Sequence, residues 1–228
     1  MAYLLCIETA TEICSVALFN DKQLCASEMN AEGNKHAAVL TLLIDACLQK
    51  AGIQKTQLDA VVLSKGPGSY TGLRVGTSTA KGICYALDIP LITVNTLAAL
   101  TAYYLQTHTV SEGLICPMID ARRMEVYTAL FNQQHQTVLA TEAKIIDEKS
   151  FESELNQQPI YFIGNGAAKC ANVIQHPNAI FVHDVFCNAA GLIDEGLMAY
   201  QEKRFEDLAY FEPFYLKDFV GTTPKNKL

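Results

Sequence analysis

No apolar run in these 228 residues approaches the roughly 18 needed for a membrane-spanning helix. The N-terminus has no basic stretch followed by an apolar segment, so no targeting signal is read there and the cytoplasm is the expected compartment. Positive charge is also scarce, with 17 Lys and Arg against 24 Asp and Glu and a net charge of −7. Phosphate backbones are bound by clustered Lys and Arg, and here these residues are scattered apart from a short tail at Lys225 to Lys227. Any nucleic-acid role is therefore expected to be indirect.

Several chemistries lack their residues. The eight cysteines (Cys6, Cys14, Cys25, Cys47, Cys84, Cys116, Cys170 and Cys187) include no C-x-x-C pair. Most sit in apolar runs, which predicts buried free thiols in a reducing compartment. The histidines are His36, His108, His135, His176 and His183, and none has another four residues away. His36 would need a partner at position 40, which is Leu40, so no metal site is expected. The loop Gly66-Pro67-Gly68-Ser69-Tyr70-Thr71-Gly72 is neither a Walker A loop nor a G-x-G-x-x-G fingerprint. Ser69 directly follows Gly68, which departs from a nucleophile elbow. No catalytic residue is expected.

What the chain does have is a globular balance. Half the residues are apolar and 18% are charged, enough to bury one large core or two lobes. Tyr3 to Ile7, Ile13 to Phe19 and Gln23 to Met29 read as three strands of a meander joined by short polar turns. A helix opens at Gly33-Asn34, with Asn34 as its N-cap, and runs to Ala51 before Gly52. Leu40, Leu43, Ile44, Cys47, Leu48 and Ala51 form its core face, and Ala38, Leu42 and Ala46 add a second apolar stripe. A strand from Leu58 to Ser64 leads through the glycine loop to a helix from Thr71 to Leu87. On it, Leu73, Gly76, Ala80, Ile83, Cys84 and Leu87 face one way. Val75, Thr79, Gly82 and Ala86 make a stripe of small residues that lets another helix approach closely. A strand from Leu91 to Val94 and a helix from Thr96 to Gln106 complete a βββαβαβα order.

The polar segment Thr107 to Gly113 predicts a boundary, giving lobes at 1–108 and 109–228. The second lobe reads as a reduced echo of the first. A hairpin of Leu114 to Ile119 and Glu125 to Phe131 is followed by a helix near Ser150 to Asn156 and a strand at Ile160 to Ile163. A helix at Ala167 to Ile174, a strand at Ile180 to Val182, and a long helix from Cys187 to Glu202 that packs back on the first lobe end the series.

Two segments could carry chemistry. The strand–glycine loop–helix passage offers either an anion cradle or a tight turn with a close helix start. Asp120, Arg122 and Glu125 sit in a hairpin turn, either as solvated ion pairs or as a polar cluster at the cleft between lobes.

Three strings together resemble one family. They are Ile7-Glu8-Thr9-Ala10, the loop Gly66, Pro67, Gly68, Ser69, Tyr70, Thr71, Gly72, Leu73 and Arg74, and Asp120-Ala121-Arg122 with Glu125-Val126-Tyr127. The chain is similar along nearly its whole length to the TsaB (YeaZ) branch of the Gcp-like, peptidase-like family. Its ending, Ala209 to Lys217, approximates the family's P-x-Y-L-R pattern. The resemblance implies an α/β, two-lobed actin-like ATPase (ASKHA, ribonuclease H-like) fold. It implies a scaffold role in N6-threonylcarbamoylation of adenosine 37 in tRNAs reading ANN codons. The implied partners are a TsaD-type transferase paralogue, bound through Ala38, Leu42, Ala46, Val75, Thr79, Gly82 and Ala86, and a TsaE-type ATPase. The same surface could support a homodimer.

Actin-like ATPases place an acidic residue and hydroxyls around phosphate in the turn that here holds Glu8, Thr9 and Thr11. With Gly164 and Gly166 these form a weak ATP/ADP site, and no cofactor is required. The catalytic paralogue's helical H-x-x-x-H motif is reduced here to His36 with Leu40. An actin-like small-molecule kinase or ATPase acting alone is the alternative, and it predicts tight nucleotide binding and turnover. A protease is suggested only by the older naming of the related family.

Overall fold

The computed structural model describes residues 1–33 and 35–217. Strands β1 (Tyr3–Glu8), β2 (Cys14–Asn20) and β3 (Gln23–Asn30) form an antiparallel meander. Helix α1 (His36–Ala51) crosses to β4 (Ala60–Ser64), and α2 (Tyr70–Leu87) crosses to β5 (Leu91–Val94). The sheet order is β3-β2-β1-β4-β5, with β1, β4 and β5 parallel. All five residues of β4 are buried, as expected for a central parallel strand covered on both faces. Helix α3 (Thr96–Thr107) follows.

The second sheet has the matching order. Strands β6 (Leu114–Asp120), β7 (Glu125–Phe131) and β8 (Thr137–Ile145) make its meander. Helix α4 (Glu152–Leu155) precedes β9 (Ile160–Ile163), and α5 (Ala167–Cys170) precedes β10 (Ala179–Phe181). The order is β10-β9-β6-β7-β8. A 3-10 turn at Ala189–Leu192 runs into α6 (Ile193–Gln201).

Local chemistry fixes the helix ends. Gly52 ends α1 at φ 70, a left-handed conformation that glycine adopts without strain. The Ser69 hydroxyl accepts from the Gly72 N–H to cap α2, and the Asn95 side chain accepts from the Leu97 and Ala98 N–H groups to cap α3. The expected cap of α1, Asn34, lies outside the described residues. Lys35, which precedes the first helical residue, makes no side-chain cap bond.

One strand was not expected, and two expected helices differ from the fold. Strand β8 carries no clear signal, because its residues are mostly half-buried or exposed on an outer edge and include Glu142 and Lys144. The helix expected at Ala167 to Ile174 ends at Cys170 and continues as turns. The helix expected from Cys187 to Glu202 is a 3-10 turn followed by nine α-helical residues, because Asn188 caps the turn through the Ala190 N–H.

The two lobes exchange their terminal helices. Leu97, Leu100 and Tyr104 of α3 pack with Ile115, Ile119 and Phe131 of the second sheet. In return Ala189, Leu192, Ile193 and Leu197 cover Leu4, Cys6, Val62 and Ile92 of the first sheet. Each fully buried leucine is worth roughly 2–3 kcal/mol over an exposed one, so the exchange joins the lobes firmly. No described helix is long and apolar enough to cross a membrane.

Candidate functional site: a cleft between lobes and an exposed helix pair

A cavity of about 840 Å³ opens between the lobes. Its walls are the β1–β2 turn, the glycine loop with the first turn of α2, the β6–β7 turn, Asn165, and a C-terminal strap that includes Tyr215, Leu216 and Lys217. The strap is held along its length. Glu206 N–H donates to Leu91 O and Phe214 N–H to Lys65 O at 2.7 Å, Phe211 is buried in the first core, and Tyr215 sits 4.9 Å from Tyr70, centroid to centroid.

Packing against the β1–β2 turn accounts for the glycines of the loop. A Cβ on Gly68 would lie 2.3 Å from Ala10 O, and one on Gly72 would lie 2.1 Å from Thr9 O. Ser69 N–H donates to Ala10 O at 2.6 Å. Gly66 takes φ 110 with Phe214 O only 2.6 Å from a notional Cβ. Pro67 is buried between them. Arg74 stacks over Tyr70 at 5.1 Å. The faces that would have to remain open to cradle a phosphate are thus occupied by the chain's own carbonyls.

Of the residues expected around a nucleotide, Thr11 lines the cleft and Glu8, Thr9, Gly164 and Gly166 lie outside its lining. Glu8 and Thr9 are fully buried. Glu8 Oε1 accepts from the Ala10 N–H at 2.6 Å, while its Oε2 has no hydrogen-bond partner. Burial raises the Glu8 carboxyl to about 7, against the opposing pull of the Ala10 N–H, the Ser64 hydroxyl and the Thr9 N–H. An enclosed carboxyl whose charged form is disfavoured by burial is less suited to a metal-bound phosphate than a solvated one. Gly164, at φ 94, fits between Met118 O and Leu100, and Gly166 packs on the end of β6. Between them Asn165 reaches across the cleft. Its Nδ2 donates to Glu12 Oε2 at 2.6 Å, and its Oδ1 accepts from the Asp120 N–H at 3.1 Å.

The hairpin cluster is pinned by lysines. Lys169 lies 2.5 Å from Asp120 and donates to the Arg123 and Glu125 carbonyls. Lys217 of the strap pairs with Glu125. Arg122 lines the cleft.

The helix stripes are largely on the outside. Ala38, Leu42 and Ala46 of α1 are exposed, Leu42 at 65%. On α2, Gly82 and Ala86 are exposed and Val75 and Thr79 are half-buried. Nothing lies within 4 Å of a notional Cβ on Gly82. Tyr85, 84% exposed on the same helix, carried no sequence signal, because its exposure depends on how α2 seats on the sheet. His36 is buried, and its Nε2 lies 2.8 Å from Thr11 O. Leu40 is in the first core. Among the described residues no group of three or more His, Cys, Asp and Glu could hold a metal ion. Burial pushes the thiols of Cys14, Cys47 and Cys84 up to about 11, which removes them as nucleophiles.

Two sheets of equal strand order with a cleft between them define a two-lobed actin-like ATPase fold. In agreement, component A of the (R)-2-hydroxyglutaryl-CoA dehydratase of Acidaminococcus fermentans superposes with a TM-score of 0.52 at 10% identity, over 90% of this chain and 100% of that one. Residues 31–219 match the family described as TsaD: tRNA N6-adenosine threonylcarbamoyltransferase, and the chain belongs to that family. Among its relatives is the tRNA threonylcarbamoyladenosine biosynthesis protein TsaB of Haemophilus influenzae, 29% identical over 95% of this chain and 94% of that protein. YeaZ from Pseudomonas aeruginosa superposes with a TM-score of 0.81 at 26% identity, covering 95% of this chain and all of that one.

Proposed function

We propose that this chain is a non-catalytic scaffold subunit for tRNA N6-threonylcarbamoylation, acting in the cytoplasm by binding a TsaD-type transferase. The observation that carries this reading is the pair of positions 36 and 40. His36 is tied to a backbone carbonyl and Leu40 is core, so the helix that bears a metal-binding pair in the catalytic paralogue serves packing here. Membership of the family and the names of the relatives supply the pathway.

The partner surface is the outward face of α1 and α2. Small and apolar side chains there let two partner helices pack closely, and a second copy of the chain could use the same face. Leaving such a face in water is unfavourable. No nucleotide is required of this subunit, because its loop glycines and Glu8 are spent on internal packing. Contact with tRNA falls to the partner, in keeping with the net charge of −7, and a TsaE-type ATPase completes the assembly.

The test is reconstitution of threonylcarbamoyl transfer from TsaC-, TsaD- and TsaE-type proteins with and without this chain, alongside size-exclusion chromatography. Product that requires the chain, together with co-elution with the TsaD-type protein, is expected. Equal product without it and no complex would sink the reading, and nucleotide turnover by the isolated chain would favour the lone-ATPase alternative.

A further inference from the structure

The two strings at 66–74 and 120–127 are far apart in the chain yet line the same cavity. Scaffolding through α1 and α2 leaves that convergence unexplained. Two charges lining the cavity, those of Arg122 and Glu12, have no ion-pair partner among the described residues. Asp120 is held by Lys169, Glu125 by Lys217, and Glu12 accepts from Asn165. The Arg122 guanidinium has no carboxylate within salt-bridge distance and no hydrogen-bond partner among the described residues.

Arg122 also occupies a costly backbone position. Its φ is 71, a left-handed conformation that costs a non-glycine residue on the order of 1 kcal/mol. The Arg122 N–H is held there by Asp120 Oδ1 at 2.8 Å. Glycine or asparagine would make the same turn with less strain. What arginine adds is its side chain, exposed on the lining of the cavity. The rings of Tyr127 and Tyr215 also line the cavity, Tyr215 packed against Tyr70.

We infer that the cleft binds a small organic oxyanion, a carboxylate or phosphate carried on a planar body and taken without a metal ion, with Arg122 as its anchor. A guanidinium matches the two oxygens of such a group, and tyrosine rings stack on a planar body. Asp120 and Glu125, two acids that could have recruited a divalent cation, are already paired with lysines. This inference stands independently of the partner reading.

The experiment titrates the full chain with benzoate, phenyl phosphate, inorganic phosphate and magnesium–ATP, read by calorimetry and by the arginine Nε–H and tyrosine ring signals in NMR. Benzoate or phenyl phosphate, whichever group the site takes, should saturably shift Arg122 and Tyr127 and bind at least about tenfold more tightly than inorganic phosphate. Arg122→Gln should weaken that binding at least about tenfold, and Arg122→Lys should retain part of it. Arg123→Gln changes a neighbour on the same turn that does not line the cavity, and it should bind as the wild type does. Absence of saturable binding, equal loss in Arg123→Gln, or binding of magnesium–ATP alone overturns the inference. Thermal unfolding of each variant separates lost binding from lost fold.

Discussion

The two lobes share a strand order but not their crossovers. Helices α1 and α2 of the first lobe have 16 and 18 residues, whereas α4 and α5 at the matching positions of the second have four each. The strands that begin each parallel core also end differently. Glu8 closes β1 fully buried, whereas Asp120 closes β6 at the surface beside Lys169. One framework has thus been put to two uses. The first lobe retains long helices with an apolar outer face, and the second keeps little more than the sheet and a charged hairpin.

Separating the two lobes should have the largest effect. A fragment of residues 1–108 should show no cooperative unfolding by circular dichroism, because α3 and one face of the first sheet would lose their cover. Within the first lobe, Gly72→Ala forces a Cβ to within 2.1 Å of a backbone oxygen and should cost about 3–4 kcal/mol in denaturant unfolding.

Glu8 gives a pH signature. Burial lifts its carboxyl from 4.5 to about 7, so the folded chain holds that proton more tightly than the unfolded chain. Its stabilising contribution is complete below the lower value and is lost as pH rises to the upper, a change of roughly 3 kcal/mol. Glu8→Gln should flatten this part of the stability–pH curve, and an unchanged slope would refute the assignment.

Leu42→Asp should leave the chain's stability within about 0.5 kcal/mol while weakening the complex with the TsaD-type protein by at least about 2 kcal/mol, measured by calorimetry. Ile145→Asp, at an exposed position on β8, should leave that affinity unchanged and so locate the interface on one lobe. The smallest effect is expected from Gly82→Ala. Its Cβ enters open space, so the helix should gain roughly 0.5–1 kcal/mol while partner affinity falls.

Much of the first lobe was legible because its signals are local. The strands β1 and β2 are short apolar runs between polar turns, and α1 and α2 bury residues at helical spacing. Strand β8 was hidden because an edge strand that is half in water needs no apolar alternation. The cleft was legible only in part. Its two motif strings could be read, but Glu8 and Thr9 face the interior instead of the cavity. Asn165, His36 and the strap residues Tyr215 and Lys217 reach it through contacts between segments distant in the chain. Such contacts leave no periodic trace.

The exchange of terminal helices has a consequence for how the chain is made. Synthesis runs from the N-terminus, so Leu4, Cys6, Val62 and Ile92 emerge from the ribosome long before residues 189–197, which cover them. The nascent first lobe therefore presents a sticky, half-finished sheet until almost the whole chain is out. The region made first is the last to close.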